Sequence, residues 1–249
     1  MERDNWNTWP STGNAIKVNW PYEELRDLLW KFKSDHVYYY VVNTVECNEE
    51  TGKQMYNTGS APNFQGGIIT LCTCKHAMRA TGDFHNNVWV AGLTGLEVAR
   101  RSGTKDNNLL FYLGKVKHAF QHYGELIEYM KRERPGAIDA KNASYNIRGD
   151  LYIPKPAVKD YFDPRQYDSP HKNHVHKDNW QNDINYIYRN NLNKHAKYLL
   201  SDEEYSFAWS KKLVQMNRGF VFSSGKKAAI TAGCKRVSLQ NFLEALEGA

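Results

Sequence analysis

Apolar and polar positions divide the chain into short strands with few helices between them. Residues 37–42 (VYYYVV) form a continuous run of β-branched and aromatic side chains, and residues 88–92 and 109–113 repeat the pattern. Each predicts a strand. A fourth run, IITLCTC at 68–74, suits a buried strand behind the break at Gly66 and Gly67. Pro21 opens a helix with Glu23 and Glu24 in its first turn and Leu25, Leu28, Leu29 and Phe32 on its apolar face. From Gly114 the pattern turns helical and runs to Pro135, and Ser238 caps a last amphipathic helix over 238–246. Residues 43–58 form a polar hairpin tip or mobile loop, and residues 97–108 a basic loop. Residues 136–198 are mostly polar, and a functional loop is one of the few reasons for so long an irregular stretch. Phe207, Trp209, Phe220, Val221 and Phe222 supply core near the end.

Closely spaced strands with few helices point to an α+β fold: a small mixed β-barrel with packed helices, rather than a doubly wound sheet. Residues 1–20 carry Trp6, Trp9 and Trp20 among Asn, Ser and Gly, which predicts an irregular arm docked by its tryptophans. With no internal repeat and no low-complexity linker, one domain over residues 1–249 is expected.

Composition narrows the class. At 41% hydrophobic and 24% charged, the chain reads as folded and soluble, and no run of 18 apolar residues suggests a membrane span. The polar start lacks a signal core, so a cytoplasmic location is expected. The net charge of +6 is compatible with nucleic acid or with no partner at all. The 16 Tyr and 7 Trp tilt the choice toward nucleic acid, because base stacking needs aromatics beside cations. Cys47, Cys72, Cys74 and Cys234 make no disulfide framework and no zinc spacing, so reduced thiols are expected, with Cys72 and Cys74 in the core.

The most informative stretch is residues 59–79, GSAPNFQGGIITLCTCKHAMR. It reads as a core strand leading into a solvated helix, or as an anion site in which glycine turns and the cations Lys75 and Arg79 meet a phosphate. It resembles the central motif of the nucleotide-modification-associated domain families, small bacterial and phage proteins linked to modified DNA bases. Gly59, Ala61, Pro62, Asn63, Gly67, Thr70, Leu71, Cys74, Lys75 and Arg79 carry the resemblance. His76 stands where the family usually has proline, and Asn87-Val88-Trp89 where it has Gly-Asp-Trp, which leaves the subfamily open. Further matches are Gly149-Asp150-Leu151-Tyr152, the run from Gln166 to His171, Asp183, and the Leu199-Leu200-Ser201, Phe207 and Trp209 pattern. The resemblance thus covers roughly residues 37–210, and it also fits a barrel of the PUA-like type.

Three other constellations bear on chemistry. His171, His174 and His176, beside Asp168 and Asp178, read as a hydrated loop, as acid–base or phosphate contacts, or as metal ligands. Their spacing matches no specific metal site, and no structural or catalytic metal is expected. Gln121, His122, Tyr123 and Gly124 read as a helix start or as groups that stack on an extruded base. Scattered basic pairs, from Arg100 and Arg101 to Lys235 and Arg236, are a solvated surface or a track for duplex phosphates. No Walker A, GxGxxG, HExxH or GxSxG motif is present, which argues against nucleotide hydrolysis and dinucleotide chemistry.

The expectation that follows is a DNA-acting, cofactor-free protein that flips a modified base from double-stranded DNA. The favoured activity is a DNA glycosylase in antiviral defence against phages. A non-catalytic reader that recruits a nuclease, or an enzyme that modifies the base, are the alternatives. C–N cleavage passes through an oxocarbenium-like sugar that a carboxylate stabilises. The candidate carboxylates are Asp150, Asp168 and Asp183; Asp150, which follows Gly149 and precedes a strand-like run, is favoured, Asp183 is kept in the catalytic set, and His171 places water or the leaving base. Asn63, Lys75, Arg79, Gln121, Tyr123 and Gln166 are the candidate DNA contacts.

Overall fold

A computed structural model describes residues 15–50, 53–104, 106–142, 149–189, 193–228, 230 and 233–248. The expected docking of Trp6 and Trp9, and the basic residue Lys105, lie outside the described residues. In chain order the elements are β1 (Lys17–Val18), α1 (Tyr22–Leu29), β2 (His36–Val41), β3 (Val45–Asn48), β4 (Gln54–Asn57) and β5 (Thr70–Leu71). Next come α2 (His76–Thr81), β6 (Val88–Leu93), α3 (Leu96–Arg101), β7 (Asn108–Phe120), α4 (Tyr123–Glu133) and α5 (Pro135–Asn142). The chain ends with α6 (Gln181–Asn185), β8 (Ile187–Tyr188), β9 (Lys194–His195), β10 (Tyr198–Ala208), β11 (Val214–Met216), β12 (Lys235–Ser238), α7 (Leu239–Glu244) and β13 (Leu246–Gly248).

The fold is mixed α+β. Where one domain is expected, the described residues gather into two compact units: residues 57–84 with 117–203, and residues 15–56 with 85–116 and 204–248. The main sheet has nine strands in the order β1-β10-β7-β6-β2-β12, with β11 on β7, β13 on β11 and β5 on β10. No pairing among the described residues joins its ends, β1 and β12.

The second unit holds most of that sheet. β2 and β6 run parallel, and β6 is buried at every position, as a strand covered on both faces must be. Burial of Trp89 brings its indole N–H to Asp35 at 2.9 Å, so neither polar group is orphaned. Trp20 packs edge-on against Phe207, and it is the one tryptophan of the expected arm among the described residues. The Ser238 hydroxyl accepts from the Asn241 N–H at 3.1 Å and caps α7, as its sequence predicts.

The first unit is a helical and loop-rich layer around β5 and the start of β10, paired through Leu71 with Leu199 and Thr70 with Leu200. Its core includes Ile68, Cys72, Tyr123, Leu126, Ile127, Met130, Tyr152, Trp180 and Tyr198. Gly66, at φ +72°, lets α5 approach: a Cβ there would lie 2.5 Å from the Ala137 Cα. One boundary differs from expectation. β7 continues to Phe120 instead of turning helical at Gly114, and α4 starts only at Tyr123, capped by the His122 ring, which accepts from the Glu125 N–H. The stretch KVKHAF is held extended as the end of β7, although its sequence shows no strict alternation. β5 in turn covers two residues rather than seven, and Cys74 is only half-buried while Cys72 is fully enclosed.

Candidate active site

The loop of residues 57–67 is stitched by its own amides. Asn57 donates to the Pro62 carbonyl at 3.1 Å and accepts from the Gly59 N–H at 3.0 Å. Asn63 exchanges both backbone hydrogen bonds with Thr70, and its side-chain oxygen accepts from the Gln65 N–H. Lys141, fully buried on α5, then drives its ammonium into this loop. It donates to the Asn63 carbonyl at 3.1 Å, the Asn63 Oδ1 at 3.0 Å and the Ile68 carbonyl at 2.9 Å. Burial lowers its pKa to about 8, against the opposing pull of Asp150 and Cys72.

Asp150 lies in the same interior with no exposed surface, accepting from the Thr70 hydroxyl at 2.9 Å. Burial pushes its carboxyl above the ordinary range, and the Lys141 charge opposes that. Asp150, just after Gly149, has no exposed surface, too deep for a transition-state carboxylate that must meet a sugar. Asn63 is equally enclosed and braces Lys141 rather than DNA. Arg148, just before this turn, lies outside the described residues.

Arg79 is also corrected. Its guanidinium is fully buried, donates to the Cys74 carbonyl at 2.7 Å and to the Lys197 carbonyl, and lies 5.5 Å from the Tyr198 ring centre. A phosphate cannot reach it, and its work is to satisfy carbonyls at the two ends of α2's surroundings. Lys75 precedes α2 as a left-handed cap residue at φ +57°, so Lys75 and Arg79 do not share one exposed helical face.

The chemistry collects instead around Asp183. Trp180 and Ile184 bury α6 on one side, which turns Asp183 inward. The Tyr198 hydroxyl bridges the Asp183 and Ile184 carbonyls at 3.0 and 3.2 Å and holds the helix end in place. His76 Nε2 lies 2.9 Å from Asp183 Oδ1, and His176 Nδ1 lies 2.7 Å from Oδ2, where the Tyr152 hydroxyl also donates at 2.8 Å. An ionised carboxylate only accepts, so both ring nitrogens are donors here. That leaves His76 Nδ1 and His176 Nε2 as the proton-exchanging atoms.

Exposure separates the roles. The Asp183 side chain is 2% exposed, against 22% for His76 and 25% for His176. The two imidazoles are open to a ligand and the carboxylate is not. Burial alone would raise the Asp183 carboxyl, but the hydrogen bonds from His176 and His76 outweigh it and hold it below its ordinary value. Burial lowers the pKa of His76 in spite of the Asp183 bond, which favours the neutral ring near pH 7. His174 orients its neighbour: its Nε2 bonds the Gly149 carbonyl at 2.6 Å, and its Nδ1 accepts from the His176 N–H at 3.0 Å.

The remaining sequence candidates fall elsewhere. His171 is exposed, and its Nδ1 only receives the Asn173 N–H at 3.2 Å. Gln121 is exposed, with its backbone N–H bonded to Glu125. Tyr123 is fully buried, donating to the Asp150 carbonyl at 3.0 Å, so it cannot stack on a base. Gln166 ties its loop by accepting from the Lys159 N–H at 2.6 Å, and Asp168 is exposed. Of the expected catalytic set only Asp183 joins this arrangement; His76, His176 and Tyr152 complete it. His176 stands seven residues from Asp183, a spacing the sequence does display, but nothing local connects either to His76.

Among the described residues, no group of three or more His, Cys, Asp or Glu side chains is arranged to hold a metal ion. Among the described residues, no helix is long and apolar enough to cross a membrane. The fold and site define an α+β protein with a buried aspartate presenting two imidazoles. No protein family, curated protein or solved structure matches this chain.

Proposed function

We propose that the protein excises a modified base from DNA by hydrolysing its N-glycosidic bond, with His76 and His176 as the acid–base pair. One observation carries this reading: two part-exposed imidazoles share one buried carboxylate, which fixes their tautomers and leaves one nitrogen of each for proton transfer. In the reaction the C1′–N bond breaks and its electron pair leaves with the base. His176, in its protonated form, gives a proton to the departing base nitrogen. Neutral His76 takes a proton from water as the water oxygen bonds to C1′. The buried negative charge of Asp183 stabilises the His76 imidazolium as it forms and, behind the rings, the cationic sugar. The net charge of +6 favours a phosphate-bearing substrate. A relationship to the nucleotide-modification-associated families, a PUA-like ancestry for the sheet, and a cytoplasmic role against phage genomes belong to the same proposal.

The test is phage DNA carrying modified bases, incubated with protein alone and assayed for alkali-labile abasic sites. Asp183→Asn and His176→Asn should each lower excision by about 100-fold or more, the scale of one major electrostatic or acid–base contribution. DNA that is bound but stays intact would make the protein a reader that hands the site to a nuclease. Cleavage undiminished in both variants would refute the acid–base assignment.

A further inference from the structure

Beside the imidazole pair lies a groove of about 630 Å³, a size that suits a small-molecule ligand. Phe162 and Tyr186 line it with His195, and Asn182, Asn185, Arg189 and Asp160 border it. Its rings are already arranged in stacks. Phe162 and His195 lie face to face with centroids 3.6 Å apart, and Tyr186 stacks on His76 at 4.8 Å and 27°. Tyr186 therefore both stacks on His76 and lines the groove.

The placement follows from one turn of helix. On α6, Asp183 faces inward, while Asn182 and Asn185, three apart and both exposed, share the outward face. Two carboxamides offer paired donors and acceptors, which match the edge of a heterocyclic base. Half-exposed aromatic rings offer a stacking surface that every base can use. Arg189, exposed at the rim, offers a fork for phosphate oxygens, and Asp160 an acceptor for a sugar hydroxyl or an exocyclic amine.

We infer that this groove binds a single nucleotide, its base stacked on Tyr186 beside the Phe162–His195 pair, its edge met by Asn182 and Asn185, and its phosphate by Arg189. The orientation of that nucleotide toward His76 rests on the proposed acid–base role, but its binding does not. The same chemistry is offered by a free nucleotide and by a nucleotide swung out of a strand.

The experiment titrates the protein with the four deoxynucleoside monophosphates and, separately, with a short single-stranded DNA, read by fluorescence of Trp180 at the start of α6. Wild type should bind at least one probe type. Binding to monophosphates points to a free nucleotide, and binding confined to the strand to a swung-out one; either supports the site. Asn185→Ala and Arg189→Ala, at exposed positions, should keep the fold and weaken binding about tenfold or more. Arg189→Ala should also lower the log–log salt slope on the strand by about 1. Tyr186→Ala should weaken every probe that binds, by about tenfold or more. Affinities within about twofold of wild type in all three variants, or no binding of any probe by wild type, would overturn the inference. His176→Asn separates it from the proposed reaction, since that variant should lose excision and keep groove binding. Full excision by His176→Asn with groove binding lost in Arg189→Ala would sink the reaction scheme and leave the nucleotide site standing.

Discussion

Lys141→Met should be among the most destabilising single changes in the first unit. The ammonium is fully buried and makes three hydrogen bonds. Two of its acceptors keep another donor: Asn63 Oδ1 retains the Gln65 N–H, and the Asn63 carbonyl retains the Thr70 N–H. The Ile68 carbonyl loses its lysine donor, worth about 1–3 kcal/mol if it is left unsatisfied. The larger cost falls on Asp150, whose enclosed carboxylate loses the opposing Lys141 charge that acts on it through space; removing one of two buried opposite charges typically costs up to about 3–5 kcal/mol. Asp150→Asn leaves the reverse problem, but Lys141 has an escape. Its pKa is already lowered to about 8 with the Asp150 charge nearby and falls further without it, so shedding the proton at pH 7 costs at most about 1.4 kcal/mol. Lys141→Met should therefore cost more than Asp150→Asn, about 3–5 against roughly 1–2 kcal/mol, and the double variant less than their sum. For a chain of this length, the lysine variant should melt about 6–20 °C below wild type at pH 7. Differential scanning calorimetry of the two singles and the double measures this directly. A melting temperature for Lys141→Met within about 2 °C of wild type, or a greater loss in Asp150→Asn, would refute the buried-pair account.

Other outcomes follow from the same interior. Arg79→Ala removes two charge-assisted hydrogen bonds and should cost roughly 3 kcal/mol of stability while leaving the salt slope of DNA binding unchanged; a slope lowered by about 1 would put Arg79 at the nucleic acid after all. Stability should fall on mild acidification, because burial holds His76 and His174 below the ordinary value of 6.5. The unfolded chain takes up those protons first, so their stabilisation is complete above 6.5 and is lost as pH falls through the folded values. Asp183, also held low, adds its own loss only below the ordinary carboxyl value of 3.8. Urea midpoints at pH 7.5 and pH 5.5 should differ, less so in His174→Gln, and equal midpoints would contradict the sign.

Much of the second unit was legible in the sequence because its strands are uninterrupted apolar runs. Residues 37–42 and 88–92 declare β2 and β6, and Ser238 declares the start of α7. The first unit was not, since its order comes from side chains that bury polar atoms. Arg79 and Lys141 look like surface cations in a sequence, and only their carbonyl partners at Cys74, Asn63 and Ile68 explain their burial. Asp150 stood out in the sequence by its place after Gly149, but its complete burial is a tertiary property. His76 was noted only as a departure from a proline, although that departure supplies half of the imidazole pair.

Asp183 shows why the site itself could not be read ahead of the fold. Its helix has five residues, too few to be stable alone. What holds it is remote: the Tyr198 hydroxyl on two of its carbonyls, and Tyr152 and His76 on its carboxylate. Each of those partners arrives on a different segment, and His76 comes from 107 residues earlier. The same short turn carries Asn182 and Asn185 to the groove. A change that loosens Tyr198 should therefore disturb proton transfer and groove binding together, whereas Arg189→Ala touches binding alone. That difference would tie the proposed proton transfer and the proposed nucleotide binding to one structural element, α6.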